Sequence, residues 1–276
     1  MCKGLSKWFI GIAVAIGLLA ATAGYSRDIV FTPTNTLVLR GEVNATSANK
    51  LIHSILTSPE KDLYLFIDSP GGSIFAGLRL IEAIKASDKN IICVANTAIS
   101  MAFAILQGCD ERLIVEDAVL MQHMASYGVE GQEPNNYTFA GFIHRMVKGL
   151  DKQQADRIGL SENEFYSKIR DDWWLWDNEA IQANAADGKV SVTCSPELLK
   201  RYTTETFQVF IFTIKLKFSA CPLIPGPIEG GNLPEDAKKT PGVKTELNRI
   251  LETYNARAIA EKRFTVKTND FDTLQP

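Results

Sequence analysis

The chain has 276 residues, more than one ordinary domain and less than two full ones, so one core with extensions is expected. Hydrophobic residues at 46% and charged residues at 22% exclude a disordered chain. A formal net charge of -3 gives no electrostatic drive toward nucleic acid, and no nucleic-acid partner is expected.

The N-terminal segment differs from the rest. Lys3 and Lys7 precede an apolar run from Trp8 to Ala20, followed by Ala21, Thr22 and Ala23. A basic start, an apolar block and an A-x-A site describe a secretory signal peptide over residues 1–23, cut after Ala23. An uncleaved membrane anchor from Trp8 to Gly24 is the alternative, at the short limit for a bilayer span. Both readings export the remainder of the chain, to a periplasmic or other extracytoplasmic location or to the membrane surface. Cys194 and Cys221 are then a candidate disulfide, while Cys93, inside an apolar run, is expected to be a buried free thiol. No Cys/His cluster has metal-ligand spacing, so neither a metal nor a cofactor is expected.

Thr36 to Leu39 predicts a short strand, and Leu51, Ile52, Ile55 and Leu56 predict a helix over 48–56. Leu63 to Ile67 is a strand stopped by Asp68-Ser69-Pro70-Gly71-Gly72, and Ile74, Leu78, Ile81 and Ile84 mark the next helix. Ile91 to Ala95 repeats the buried-strand pattern. A polar turn is expected after it, then a helix from Ser100 to Gln107 closed by Gly108. Two strands, 112–115 and 119–122, come next. Phe142, Ile143, Met146, Val147 and Leu150 predict an amphipathic helix from Phe139, and 162–169 another. Alternating strands and helices with short connections define an α/β core with a mostly parallel sheet. Beyond Val190, a strand over 212–218 and a helix through Leu247, Ile250, Leu251 and Tyr254 suggest an α+β extension over 191–276, whose role stays open.

Hydrolysis of an amide requires a nucleophile, a base within hydrogen-bond reach and donors for the oxyanion. Ser100 stands between a buried strand and a helix, so the next amide, that of Met101, points from a helix N-terminus into the same region. Gly71 and Gly72 end a neighbouring strand, and in a parallel sheet such turns gather along one edge. Each residue also has an ordinary reading: Ser100 as a helix cap, the SPGG segment as a turn, His123 as a structural histidine, Asp172 as a solvated charge. His53 and His144 sit just off apolar helix faces and read as surface positions.

Two segments carry a resemblance. LYLFIDSPGGSIFAG (63–77) and TAISMAFAILQGCDERLIVEDAVLMQH (97–123) resemble the proteolytic subunit of the Clp protease family, and the likeness extends over about residues 36–190. It implies a ClpP/crotonase-like fold of repeated β-β-α units, a peptidase domain over 24–190, a serine protease activity and a homo-oligomer acting on peptides or proteins. Ser100 aligns with the nucleophile in the A-x-S-M element, His123 with the base, and Asp172 with the orienting acid ahead of Asn178-Glu179-Ala180. Gly72 and Met101 align with the oxyanion-hole amides. Substrate is expected along Gly71, Ser73 and Ile74, added as an extended strand. Two positions depart from the pattern: Asn96-Thr97 replaces a Gly-x pair, and Asp171 stands where arginine is usual.

The expected function is thus a serine endopeptidase, exported or membrane-tethered and independent of a cytosolic ATPase. The alternatives are an inactive scaffold of the same fold, or a crotonase-like acyl-CoA enzyme, which the Ser100, His123 and Asp172 combination disfavours.

Overall fold

A computed structural model describes residues 27–229, 233 and 235–252. The leader expected over 1–23 lies outside the described residues, as does Tyr254 of the last predicted helix.

The core opens with β1 (Arg27–Phe31) and β2 (Thr36–Arg40), followed by α1 (Ala45–Thr57), β3 (Asp62–Ser69), α2 (Ile74–Ala86), β4 (Asn90–Ile99), α3 (Met101–Gln107) and β5 (Glu111–Gln122). Then come α4 (Glu133–Ile158), α5 (Glu162–Ile169), β6 (Trp173–Trp176), α6 (Asn178–Gln182) and β7 (Gly188–Cys194). The sheet runs β1-β7-β5-β4-β3-β2, all parallel, with β6 antiparallel on β5.

Local chemistry explains the helix starts. Asn44 Oδ1 accepts from the Ser47 amide and Ser47 Oγ accepts from the Asn44 amide, both at 3.0 Å, a capping box that begins α1. Ser73 Oγ accepts from the Ala76 amide and begins α2. The central strands are apolar on both faces because each face is covered. Leu63, Leu65 and Ile67 of β3, with Ile91, Cys93 and Ala95 of β4, pack under the helices. Phe66, Ile92 and Val94 face a second cluster with Leu198 and Cys221. The period-2 alternation thus feeds two cores, each fully buried aliphatic side chain contributing about 1.5–3 kcal/mol.

Four expectations change. β4 runs on to Ile99, absorbing the expected polar turn, because Asn96 is the extra residue of a bulge: Ala95 pairs with Ile67 and Thr97 with Asp68. The two strands expected over 112–122 are one irregular strand, β5. Cys93 is not a free thiol: α3 folds back beside β4 and its following turn brings Cys109 to a Cα–Cα distance of 5.9 Å, forming a disulfide. The division at residue 190 falls inside β7, which joins β1 to β5.

Beyond β7, α7 (Pro196–Leu199) leads to a hairpin of β8 (Tyr202–Val209) and β9 (Phe212–Ser219), then β10 (Pro227–Glu229), α8 (Glu235–Lys239) and α9 (Val243–Glu252). Val209, Ile214 and Leu216 form a separate core with Ala237, Val243 and Leu247, giving the expected α+β extension its own apolar interior. The Cys194–Cys221 disulfide ties its base to the main sheet.

Arg112, 2% exposed, anchors the start of β5. Its guanidinium donates to Asp187, to Gln107 Oε1 at 2.7 Å and to the Asn184 carbonyl at 2.9 Å. Arg112→Ala strands these acceptors and is expected to lower the unfolding free energy by roughly 3 kcal/mol, as read by urea denaturation.

Candidate active site

β4 and β5 lie side by side and parallel, with Ile99 opposite Met121, so the residues just beyond them emerge at the same sheet edge. The first is Ser100, with φ +58 and ψ -121 between strand and helix. A non-glycine residue there is strained, and the sharp turn aims the side chain outward. Although Ser100 occupies the N-cap position of α3, its hydroxyl makes no cap bond. Instead Oγ lies 2.8 Å from His123 Nε2. Backbone bonds hold both partners: the Ser100 amide donates to Met121 O at 2.8 Å, and the His123 amide donates to Gln122 Oε1 at 3.0 Å.

Asp172 enters by register. β6 pairs with β5 so that Met121 faces Trp174 and Gln122 faces Trp173; Asp172 and His123 are the residues that adjoin this last pair, Asp172 with φ +55 just ahead of the strand. Beyond them the Met124 amide donates to Ile169 O at 3.1 Å, so the chain is pinned on both sides of these two residues. Trp173 packs against Phe103 and Phe165, with ring centroids 6.1 and 6.2 Å away, which seats β6 on the core. Asp171 turns to Arg170 in an exposed ion pair of 2.8 Å.

The glycines bring backbone close to the serine. Gly71 has φ +88, and a Cβ there would lie 2.5 Å from Ile99 O, 2.8 Å from the Met101 amide nitrogen and 2.8 Å from Ser100 Cβ. The absent side chain therefore keeps open the space in front of the Met101 amide, which is unpaired within the helix at its first turn. Gly72 forms a parallel bridge with Val43: the Val43 amide donates to Gly71 O at 2.8 Å and the Ser73 amide to Val43 O at 2.7 Å. Strand alternation then directs the Gly72 amide away from Val43.

A cavity of about 240 Å³ contains Gly72, Ile74, Ser100, Met101 and His123 together with Val147, Leu150, Asp151 and Gln154 of α4. Among the expected substrate-binding residues, Ile74 lines it. Gly71 lies beneath Ser100, and the Ser73 hydroxyl is committed to capping α2. Asn96 is absent from this lining: its side chain donates to Asp68 at 3.1 Å and borders a different cavity, so the departure at 96–97 does not narrow the cleft. His53 and His144 are both exposed, as expected.

Asp151, Gln154 and Gln122 are the site residues that sequence reasoning missed. A signal was present: 147, 150, 151 and 154 share one helical face, and its apolar pattern is interrupted by an acid and an amide. Gln154 and Gln122 are buried and bond to each other, fixing α4 to the end of β5. Burial pushes the Asp151 carboxyl up to about 6. A carboxylate raised in the folded state destabilises it fully above that value, and the penalty fades as pH falls toward the unfolded carboxylate range near ~4. Asp151→Asn is therefore expected to raise Tm at pH 7, with the gain shrinking through pH ~6 and vanishing below ~4, as followed by thermal melts.

Comparison with known proteins agrees with the geometry. The Clp protease family model matches residues 25–188, well over half of the chain. The chain belongs to the Clp protease family. Its relatives include the ATP-dependent Clp protease proteolytic subunit 2 of Synechococcus sp. (strain CC9605), 28% identical over 162 residues, covering 56% of this chain and 82% of the relative. The ATP-dependent Clp protease proteolytic subunit of Borrelia garinii subsp. bavariensis is 27% identical over 158 residues, covering 55% of this chain and 81% of the relative. The parallel sheet and helical layer are those of a Clp-type α/β fold, and family membership supports a peptidase. The extension beyond β7 lies outside the family match.

Proposed function

We propose that this chain is a serine endopeptidase in which Ser100 is the nucleophile, His123 the general base and Asp172 the acid that orients it. The observation carrying this reading is the 2.8 Å contact between Ser100 Oγ and His123 Nε2 at a strained strand-to-helix turn. His123 Nε2 takes the hydroxyl proton as Oγ attacks the peptide carbonyl. The amides of Gly72 and Met101 hold the resulting oxyanion. Collapse breaks the C–N bond, His123 returns the proton to the departing amine, and water then releases the acyl-enzyme. Asp172, next to the Gln122–Trp173 pair that His123 also adjoins, holds the imidazole tautomer and stabilises imidazolium. The peptide lies extended beside Gly72, whose amide faces away from Val43.

The chain acts outside the cytoplasm, after removal of residues 1–23 or tethered by them, and without the ATPase that its relatives' names imply. Two disulfides within the fold support an oxidising compartment. Among the described residues no helix is long and apolar enough to cross a membrane. The chain assembles with copies of itself, a reading supported by the exposed Tyr137, Phe139 and Phe142 on α4.

A fluorophosphonate probe is expected to label wild-type protein and leave Ser100→Ala unlabelled. Folded wild-type protein that stays unlabelled, and cleaves no peptide, would make the chain an inactive scaffold. The intact mass of the mature protein checks export: loss of residues 1–23 is expected, and a full-length soluble cytosolic product would count against it.

A further inference from the structure

α4 closes one side of the cavity around Ser100 with Val147, Leu150, Asp151 and Gln154, while Ile74, Met101 and Ala104 approach from α2 and α3. Asp151 also borders an adjoining cavity of about 460 Å³, beside Tyr127, Lys148, Lys152 and Tyr166. It therefore stands between the nucleophile's cleft and a second open space. Its one hydrogen bond among the described residues is from Gln154 Nε2 at 3.5 Å, the outer limit for such a contact. No cation among the described residues forms an ion pair with it. Lys152, the adjacent residue in the chain, is held by Asp156 at 3.0 Å and lies 3.8 Å from Glu162.

A carboxylate in that setting carries a desolvation cost that no ion pair among the described residues offsets. Asparagine would fill the same volume without it. The lining is mixed, with Gln122, Ser126 and Gln154 beside an apolar part: Ile74, Met101, Ala104, Val147 and Leu150 suit a run of methylenes, and the acid suits a cation at the end of that run. Lysine and arginine have this construction. A glutamate would meet like charge, and an aliphatic side chain would bury the carboxylate further without pairing it.

We propose that Asp151 makes the cavity beside Ser100 the subsite for a lysine or arginine side chain, on the residue whose carbonyl Ser100 attacks. This inference rests on the peptidase reading for its catalytic consequence, but the binding preference can be measured without catalysis. Asp151 is a specificity-determining residue here. At neutral pH it is mainly ionised, and the incoming cation supplies the partner that the fold omits.

The test uses the full mature chain and fluorogenic peptides identical except for lysine, norleucine or glutamate at that residue. Wild-type kcat/KM is expected to favour lysine over norleucine by about tenfold or more, the scale of one charge-assisted hydrogen bond, with glutamate poorest. Asp151→Asn brings the lysine-to-norleucine ratio close to one, and Asp151→Glu keeps lysine ahead. In parallel, the same peptides are titrated into Ser100→Ala protein by calorimetry, with and without Asp151→Asn. A lysine preference that depends on Asp151 in this arm supports the subsite even if no peptide is cleaved and Ser100 does not label, the outcome that would sink the peptidase reading alone. A wild-type enzyme that prefers norleucine, a ratio unmoved by Asp151→Asn, or the absence of any lysine preference in the binding arm overturns the subsite.

Discussion

Ser100→Ala is expected to reduce peptide hydrolysis by about 10⁶-fold in kcat, the scale on which removal of a triad nucleophile operates, while leaving the fold intact. Alanine retains the Cβ and therefore the strained backbone at φ +58, so its melting temperature should stay close to that of the wild type. Ser100→Gly separates strain from chemistry. Glycine adopts this conformation at no steric cost, so the variant should be about as inactive as Ser100→Ala but roughly 1 kcal/mol more stable. Equal stability of the two variants would show that the turn is held without cost. Residual activity well above background in either would transfer the nucleophile's role elsewhere.

Gly71→Ala is expected to damage both stability and rate. Its methyl group would sit 2.5 Å from Ile99 O and 2.8 Å from the Met101 nitrogen, and both are backbone atoms that cannot rotate away. The positive φ of Gly71 adds roughly 1–2 kcal/mol of conformational strain for alanine. The kinetic effect should exceed what instability explains. The methyl occupies the space in front of the Met101 amide, and loss of one oxyanion donor is worth about 10²–10³ in kcat. The decisive measurement is kcat at a temperature where circular dichroism shows the variant fully folded. An unchanged kcat there would remove the Met101 amide from the mechanism.

The reading of Ser100 as a mere helix cap fails for a specific reason. A capping serine turns its oxygen back to an amide of its own first turn, whereas Ser100 Oγ points to His123 and leaves α3 uncapped by its side chain. The two disulfides teach a different lesson. Cys194–Cys221 was a candidate because the expected export to an oxidising compartment permits it, but Cys93 read as a free thiol because an apolar run reports burial and is silent about the neighbour. Cys109 becomes that neighbour when α3 folds back over β4.

The amino-acid sequence by itself determined the alternation of buried strands and helices and the glycine turn at 71–72, while Ser100, His123 and Asp172 were singled out together through the resemblance to the Clp family. The alternation and the turn are legible because burial and turn chemistry are local, leaving periodic apolar residues and glycine at the points where backbone must approach closely. Only the tertiary structure decided which strand ends share an edge, and hence that Ser100 meets His123 at 2.8 Å and that β6, which Asp172 precedes, pairs with the strand that His123 follows. It also decided that Asp151, one charge on a long helix, faces the same cleft. Pairing between distant segments depends on the packing of the whole sheet, and no local pattern encodes it.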